Sequence, residues 1–175
     1  MPAVLPTLRS FFVRQPRAVL AATAALCVGL LAFGLYLQHV VGLEPCPMCI
    51  VQRYTLVGVA LVAALGAGLG RQRTVQVIAA SLLGVLAGFG AFVAARQTFL
   101  QWYPPEIASC GRDFYGMIEA FPLQRVIPML FKGSGDCSAI DWTFLGLTIA
   151  NWSFLNFCLI CAVALALLVC GRSRG

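Results

Sequence analysis

The chain of 175 residues contains four long apolar runs separated by charged positions. Stretches without a charged side chain or histidine cover residues 18–38, 54–70, 74–95 and 142–171. A membrane-spanning helix needs roughly 20 mostly apolar residues. We therefore predict four spanning helices, at 18–38, 49–69, 74–95 and 151–170. The second of them begins before Arg53, and the fourth uses only the later part of its run.

The segment between the third and fourth spans, residues 96–150, is predicted to be a long loop outside the membrane. Within it, residues 114–131 mix apolar side chains with charged ones, and Pro122 and Pro128 divide this stretch into short pieces. We expect a short amphipathic helix that lies on the membrane surface. The pattern thus predicts a single all-α membrane domain over residues 1–175, a four-transmembrane-helix bundle with one long loop.

The composition excludes several classes of protein. Hydrophobic residues make up 61% of the chain and charged residues 10%, whereas a soluble domain averages roughly 25% charged residues. A water-soluble globule and a disordered chain are therefore excluded. The net charge of +6 does not indicate nucleic acid, because in a membrane protein the position of the charges matters more than their sum. A single His argues against a His-based metal site.

The basic residues predict how the chain crosses the membrane. Four spans place both termini and the 70–74 turn on one side, and that side carries seven Arg residues and no acidic residue. The other side carries five basic residues and all six acidic ones. Because Lys and Arg concentrate in cytoplasmic loops, we expect cytoplasmic termini and a 96–150 loop on the outer side of the membrane. The first apolar run exceeds the 7–15 residues of a signal-peptide core, so we expect an uncleaved anchor.

The eight cysteines divide by their predicted position. Four lie in the predicted spans: Cys27, Cys158, Cys161 and Cys170. Four lie at the outer face or in the outer loop: Cys46, Cys49, Cys110 and Cys137. Disulfides form and persist outside the cytoplasm, and four cysteines allow three pairings. Cys46 and Cys49 form a C-x-x-C and are close enough to pair, which leaves Cys110 with Cys137, with 26 residues between them.

The C-x-x-C has the features of a reactive dithiol. Pro47 is well placed as the first residue of a helix, so Cys49 would lie in the first turn, where backbone N–H groups favour a thiolate. Arg53 is one helical turn further on and shares the face of Cys49. An Arg inside a spanning helix is costly, and this one can stabilise a thiolate or donate to a carbonyl oxygen of a ligand. A dithiol above a cation at the membrane boundary suits electron transfer to a lipid-soluble quinone.

Other interpretations of these residues stay open. The C-x-x-C could be half of a zinc site if Cys110 and Cys137 supplied two more ligands, although we expect no metal. Either cysteine pair could form a structural disulfide, and the loop pair could simply hold the loop together. The Arg53 side chain could extend to the membrane interface. The cysteines in the spans are expected to behave as small apolar residues.

Several motifs together resemble one known family. They are PCPMC at 45–49 with Gln52 and Arg53, LQWYP at 100–104 leading to Cys110, GSGDC at 133–137, and WTFLGL at 142–147. In order and spacing they resemble the disulfide bond formation protein B (DsbB) family, over roughly residues 17–170. The combination is far more specific than any one motif.

The resemblance implies a four-helix protein of the bacterial inner membrane that re-oxidises a periplasmic thiol oxidase, DsbA. By analogy, Cys110 would form the mixed disulfide with this partner, and Cys137 would then attack Cys46. Cys49 would be released as a thiolate facing ubiquinone or menaquinone, the diffusible electron acceptor. Arg53 would help to hold the quinone.

The chain departs from the family pattern at one position. Some members carry a His shortly before the Leu-Gln-x-Tyr-Pro stretch, whereas this chain has Arg96-Gln97-Thr98 there. We therefore expect Gln97 or Arg96 to supply a hydrogen-bond donor for the quinone instead. His39, the only His, is expected to be an interfacial polar residue.

Two rival functions remain at the level of sequence. One is a membrane thiol–quinone oxidoreductase in which electrons run the other way, as in the vitamin K epoxide reductase class. The other is a non-enzymatic membrane assembly factor with two structural disulfides. The second rival leaves Arg53 and the C-x-x-C without an explanation.

Overall fold

The computed structural model describes residues 15–69, 72–104, 140 and 142–172, and side chains up to residue 170. Within these ranges the chain forms helices α1 (Pro16–His39), α2 (Pro47–Leu69), α3 (Arg73–Trp102) and α4 (Ile149–Arg172). Strands β1 (Thr143–Phe144) and β2 (Leu147–Thr148) form a small hairpin before α4. The predicted amphipathic helix at 114–131 lies outside the described residues, as do Cys110 and Cys137.

All four helices are long and apolar enough to cross a membrane. This confirms the prediction of an all-α membrane protein with four spanning helices. Two helices begin with a proline, Pro16 in α1 and Pro47 in α2. Proline is well suited to the first helical position, because its missing N–H would have no helical partner there.

Helix α3 is longer than the sequence predicted. It continues to Trp102, seven residues past the predicted end of the third span, so the first residues of the predicted 96–150 loop are helical. The prediction ended the span at the charge of Arg96, but a charge does not end a helix. Arg96 lies over the Phe99 ring, 5.6 Å from its centroid, one turn along. The helix ends only at Tyr103, which precedes Pro104, and a residue before proline disfavours the helical conformation.

The hairpin between β1 and β2 was not predicted. Its two-residue turn has positive φ at Leu145 (53°) and at Gly146 (78°), as the common two-residue hairpin turn requires. A Leu with positive φ is uncommon. The hairpin is attached to the bundle, since Trp152 Nε1 donates to the Phe144 carbonyl at 3.1 Å.

Each helix packs chiefly against its neighbours in sequence: α1 on α2, α2 on α3, and α3 on α4. The shared core is built mostly from small and medium side chains of all four helices, with Phe157 as a large member, and many of the lipid-side positions are large and apolar. Its fully buried members include Leu20, Cys27, Val59, Ala63, Leu83, Ala87, Phe157 and Ile160. The burial of Cys27 agrees with its expected role as a small apolar residue.

Arg17 connects the start of α1 to the end of α2. Its Nε donates to the Ala67 carbonyl at 2.7 Å, and its Nη2 donates to the Gly68 carbonyl at 3.5 Å. These carbonyls lie in the last turn of α2, where no helical N–H partner follows. A cation at this end of a helix also interacts favourably with the helix dipole. Arg17 therefore stabilises the end of α2 from the start of α1.

Glycine allows α3 and α4 to approach closely. A Cβ at the buried Gly90 would overlap the ring of Phe157, with only 2.6 Å to Cδ1. Phe157 is completely buried, so its ring has little room to move. Small residues at helix contacts are typical of membrane bundles. Gly88, on the same helix, is exposed and has nothing within 4 Å of such a Cβ.

We therefore expect Gly90→Ala to lower the free energy of unfolding by about 1–3 kcal/mol, the usual cost of overpacking a core. The matched change Gly88→Ala should be neutral, or stabilising by up to about 1 kcal/mol, because alanine favours the helix. Thermal unfolding of both variants in detergent measures the difference. Equal stability of the two variants would contradict the close α3–α4 contact.

Candidate functional site

The two cysteines of the C-x-x-C lie together at the start of α2. Their sulfur atoms are 2.9 Å apart, and the Cys49 backbone N–H donates to Cys46 Sγ at 3.3 Å. The Cys46 carbonyl accepts the first helical hydrogen bond, from the Ile50 N–H at 3.1 Å. Cys46 thus occupies the cap position of α2, with Pro47 as its first helical residue. The turn of the helix brings both sulfurs to the end where unpaired N–H groups favour negative charge.

The sulfur pair lies in an apolar cluster between α2 and α3. Cys46 is buried, and it packs with Met48, Val93 and Leu100, which are also buried. Cys49 is only half-buried. The two sulfurs therefore differ in access, and Cys49 is the more exposed of the two.

A buried chain of amides leads to the sulfurs. Gln97 Nε2 donates to Cys46 Sγ at 3.3 Å and to Cys49 Sγ at 3.2 Å. Gln52 Nε2 in turn donates to Gln97 Oε1 at 2.7 Å. Each glutamine is only 4% exposed. Since buried polar groups need partners, this chain satisfies the two side chains and gives the sulfurs a neutral donor.

Arg53 is held by the neighbouring helix α1. Its Nη1 donates to Gln38 Oε1, and its Nη2 donates to the Gly34 carbonyl at 3.1 Å. A Cβ at Gly34 would lie 3.6 Å from Arg53 Nε, so a side chain larger than alanine would displace the guanidinium. These bonds satisfy N–H donors of the Arg53 guanidinium, whose charge is costly inside a membrane. They also fix α1 to α2 one turn below Cys49.

A second polar cluster joins α3 to the start of α4. Thr98 Oγ1 donates to Asn151 Oδ1 at 3.0 Å, and Thr148 Oγ1 donates to Gln101 Oε1 at 2.8 Å. The Asn151 backbone N–H reaches Thr148 Oγ1 at 3.4 Å. These bonds involve Thr98 and Gln101, which follow Gln97, and they fix the last turns of α3 against the start of α4.

The structure therefore brings together part of the predicted site. Cys46, Cys49 and Gln97 are in mutual contact, whereas Arg53 lies one turn away with partners on α1. Cys110 and Cys137 lie outside the described residues, so their pairing stays a prediction. Among residues 15–69, 72–104, 140 and 142–172 there is no group of three His, Cys, Asp or Glu that could hold a metal.

Sequence reasoning did not assign a role to Gln52 or Gln38. Gln52 is adjacent to Arg53 in a spanning helix, and a polar amide at such a position is a signal in its own right. The same holds for Gln38, at the end of the first apolar run. What the sequence could not give is the partner of each amide, because each bond crosses from one helix to another.

Comparison with known proteins matches most of this chain to one family. The family model of disulfide bond formation protein DsbB matches residues 16–167. A disulfide bond formation protein B from Polaromonas sp. strain JS666 is 68% identical over 159 residues, which cover 91% of this chain and 94% of that protein. Those of Acidovorax sp. strain JS42 and Aromatoleum aromaticum are 64% and 53% identical, over 89% and 94% of this chain and over 89% and 98% of their own length.

Proposed function

This chain belongs to the DsbB family of membrane disulfide bond formation proteins, and from that premise we propose that it makes disulfides by passing electrons to a quinone. The electron donor is the dithiol of a periplasmic DsbA-type thiol oxidase. The first acceptor is the Cys110–Cys137 disulfide, the second is the Cys46–Cys49 disulfide, and the last is ubiquinone or menaquinone. The protein resides in the bacterial inner membrane, with cytoplasmic termini and the sulfur chemistry on the periplasmic side.

One observation carries the proposal. A pair of sulfurs 2.9 Å apart lies at the amino-terminal end of a spanning helix and receives hydrogen bonds from a buried amide. A purely structural disulfide that closes so small a ring restricts the unfolded chain little. Such a disulfide would not need amide donors within an apolar cluster. Donors of this kind are useful where charge develops on sulfur.

The proposed steps balance in atoms and electrons. A thiolate of the partner attacks the Cys110–Cys137 bond, forms a mixed disulfide with Cys110 and releases Cys137. The Cys137 thiolate attacks Cys46, so the Cys46–Cys49 bond breaks and its electron pair leaves on Cys49. The partner's second thiolate attacks the sulfur of its own mixed disulfide, which completes the partner's disulfide and frees Cys110. Attack of Cys110 on Cys137 then restores the loop disulfide and frees Cys46.

The quinone is a diffusible substrate that takes up two electrons and two protons and leaves as quinol. This uptake lets Cys46 and Cys49 form their disulfide again. The half-exposed Cys49 is the sulfur more open to such a substrate. Arg53, one turn below it, is the residue we propose to donate to a quinone carbonyl oxygen. Gln97 remains a second candidate for that contact.

The proposal is tested with the full-length protein in detergent, a reduced DsbA-type partner and a soluble ubiquinone analogue. We expect catalytic loss of quinone absorbance that requires both the partner and the protein. Cys110→Ser should reduce this turnover to background, because the partner then has no loop disulfide to attack. A folded wild-type protein that reduces no quinone would overturn the proposal and favour a structural assembly factor. Turnover that survives in Cys110→Ser would limit the loop pair to a structural role.

A further inference from the structure

The thiol–disulfide exchange steps above do not use the amide chain of Gln52 and Gln97, although Gln97 contacts both reacting sulfurs. Gln97 Nε2 reaches Cys46 Sγ at 3.3 Å and Cys49 Sγ at 3.2 Å. Gln52 lies on α2, the helix of the cysteines, and Gln97 lies on α3. The chain therefore connects the sulfur pair to the neighbouring helix through two buried side chains.

We infer that Gln97 is a catalytic residue that stabilises negative charge on the Cys46–Cys49 sulfurs, and that Gln52 is the positioning residue that orients its amide. The inference rests on the proposed function in one respect, namely that this sulfur pair is redox-active. It assigns Gln97 to the sulfurs, whereas the sequence predicted a contact with the quinone.

The orientation of the Gln97 amide decides its effect. An amide has two N–H groups on its nitrogen and an acceptor oxygen. Gln52 Nε2 donates to that oxygen at 2.7 Å, which leaves the Gln97 nitrogen facing the sulfurs. Without this bond, the amide could rotate by half a turn and present its oxygen to the sulfurs, where it would repel a thiolate. Gln52 thus favours the donor orientation, and a donor polarised by a second amide is itself strengthened.

Burial makes the donor effective. Both glutamines are 4% exposed and Cys46 is 8% exposed, so water competes little for the amides and for Cys46, and the half-buried Cys49 meets the Gln97 N–H on its protein side. Hydrogen bonds to a charged atom are about twice as strong as those between neutral groups. When the Cys46–Cys49 bond breaks, the electron pair leaves on Cys49, and the Gln97 N–H therefore binds the product thiolate more strongly than the disulfide. A neutral amide does this without a second buried charge.

The direction of the effect on the redox equilibrium follows. A group that stabilises the reduced form makes a disulfide a stronger oxidant. Loss of the Gln97 donor should therefore make the Cys46–Cys49 disulfide harder to reduce. The guanidinium of Arg53 donates its hydrogen bonds to α1. The hydrogen bonds that stabilise the reduced sulfurs therefore come from the Gln97 amide.

The experiment measures the equilibrium of the Cys46–Cys49 pair with glutathione. The full-length protein in detergent carries Cys110→Ser and Cys137→Ser, so only this outer pair is titrated. Gln97→Leu should shift the equilibrium about tenfold toward the disulfide, a change of roughly 30 mV for two electrons. Gln52→Leu should shift it in the same direction by less. The double variant should shift the equilibrium no further than Gln97→Leu does, because the two side chains act as one unit.

Two further variants separate this role from a structural one. Thr98→Val removes the adjacent hydrogen bond to Asn151 and should leave the equilibrium unchanged. Gln97→His retains an N–H donor, so its equilibrium should lie close to that of the parent protein. This variant also tests the inference if Gln97→Leu does not fold. An unchanged equilibrium in both Gln97→Leu and Gln52→Leu, or an equal shift in Thr98→Val, would overturn the inference. If neither glutathione nor quinone changes the redox state of the Cys46–Cys49 pair in the protein with both glutamines, that result contradicts the proposed function instead.

Discussion

Cys49→Ser is expected to abolish quinone turnover and to leave a single burst of partner oxidation. In the proposed relay, the Cys110–Cys137 disulfide would still oxidise one equivalent of partner for each protein molecule. Without Cys49 the Cys46–Cys49 disulfide cannot form. Nothing then re-oxidises the two loop cysteines, so the reaction stops. Quinone absorbance should stay at the uncatalysed background, while partner oxidation ends near one equivalent. Both quantities can be followed in one reaction, by quinone absorbance and by trapping thiols with an alkylating reagent.

Cys158→Ser is the matched control for this change. Cys158 is an exposed residue in the middle of α4 and belongs to the second C-x-x-C of the chain. The same replacement of sulfur by oxygen there should leave turnover at the wild-type rate. Sustained quinone reduction by Cys49→Ser would exclude Cys49 as the donor to quinone. Loss of turnover in Cys158→Ser would show that the α4 pair takes part.

Arg53→Met is expected to raise the KM for the quinone analogue by about 10- to 100-fold. A hydrogen bond to a charged group contributes about 1.5–3 kcal/mol, and each 1.4 kcal/mol is a tenfold change in affinity. Methionine keeps much of the length and apolar volume of the arginine stem, so the packing against α1 changes little. Steady-state kinetics at saturating partner, with the quinone concentration varied, measure this effect.

Gln38→Leu separates binding of quinone from the link between helices. It removes one partner of Arg53 on α1 but keeps the guanidinium. If Arg53 only joins α1 to α2, both variants should lose similar stability and show similar kinetics. If Arg53 donates to the quinone, the KM should rise much more in Arg53→Met. A KM that stays at the wild-type value in Arg53→Met would restrict this residue to the helix contact.

The four spans could be predicted from sequence because each apolar run is bounded by charge, but their ends could not. Arg96 marked the end of the charge-free run, yet α3 continues to Trp102. The stop signal was Pro104, which acts on the backbone and not on hydrophobicity. The hairpin was not predicted because its turn places Leu145 at a positive φ. A Leu rarely adopts this conformation.

The site could be predicted only as far as its local sequence allowed. The Pro47 start of α2 and the spacing of Cys46 and Cys49 are local, and they place both sulfurs on one helical turn. The bond between Gln52 and Gln97 joins residues 45 positions apart. No pattern within one helix encodes that pairing, so the orientation of the donor could be found only in the packed bundle.

The sequential packing of the helices has a consequence for biosynthesis. Each helix contacts chiefly the one translated just before it, so the bundle can assemble in the order in which the ribosome releases its segments. The two sulfurs enter the membrane with α2, but the amide that faces them arrives only with α3. During translation, the nascent chain therefore holds its cysteine pair without that donor until the third segment is inserted. Gln97 lies just past the middle of the 175-residue sequence, so the pair gains this donor only in the second half of synthesis.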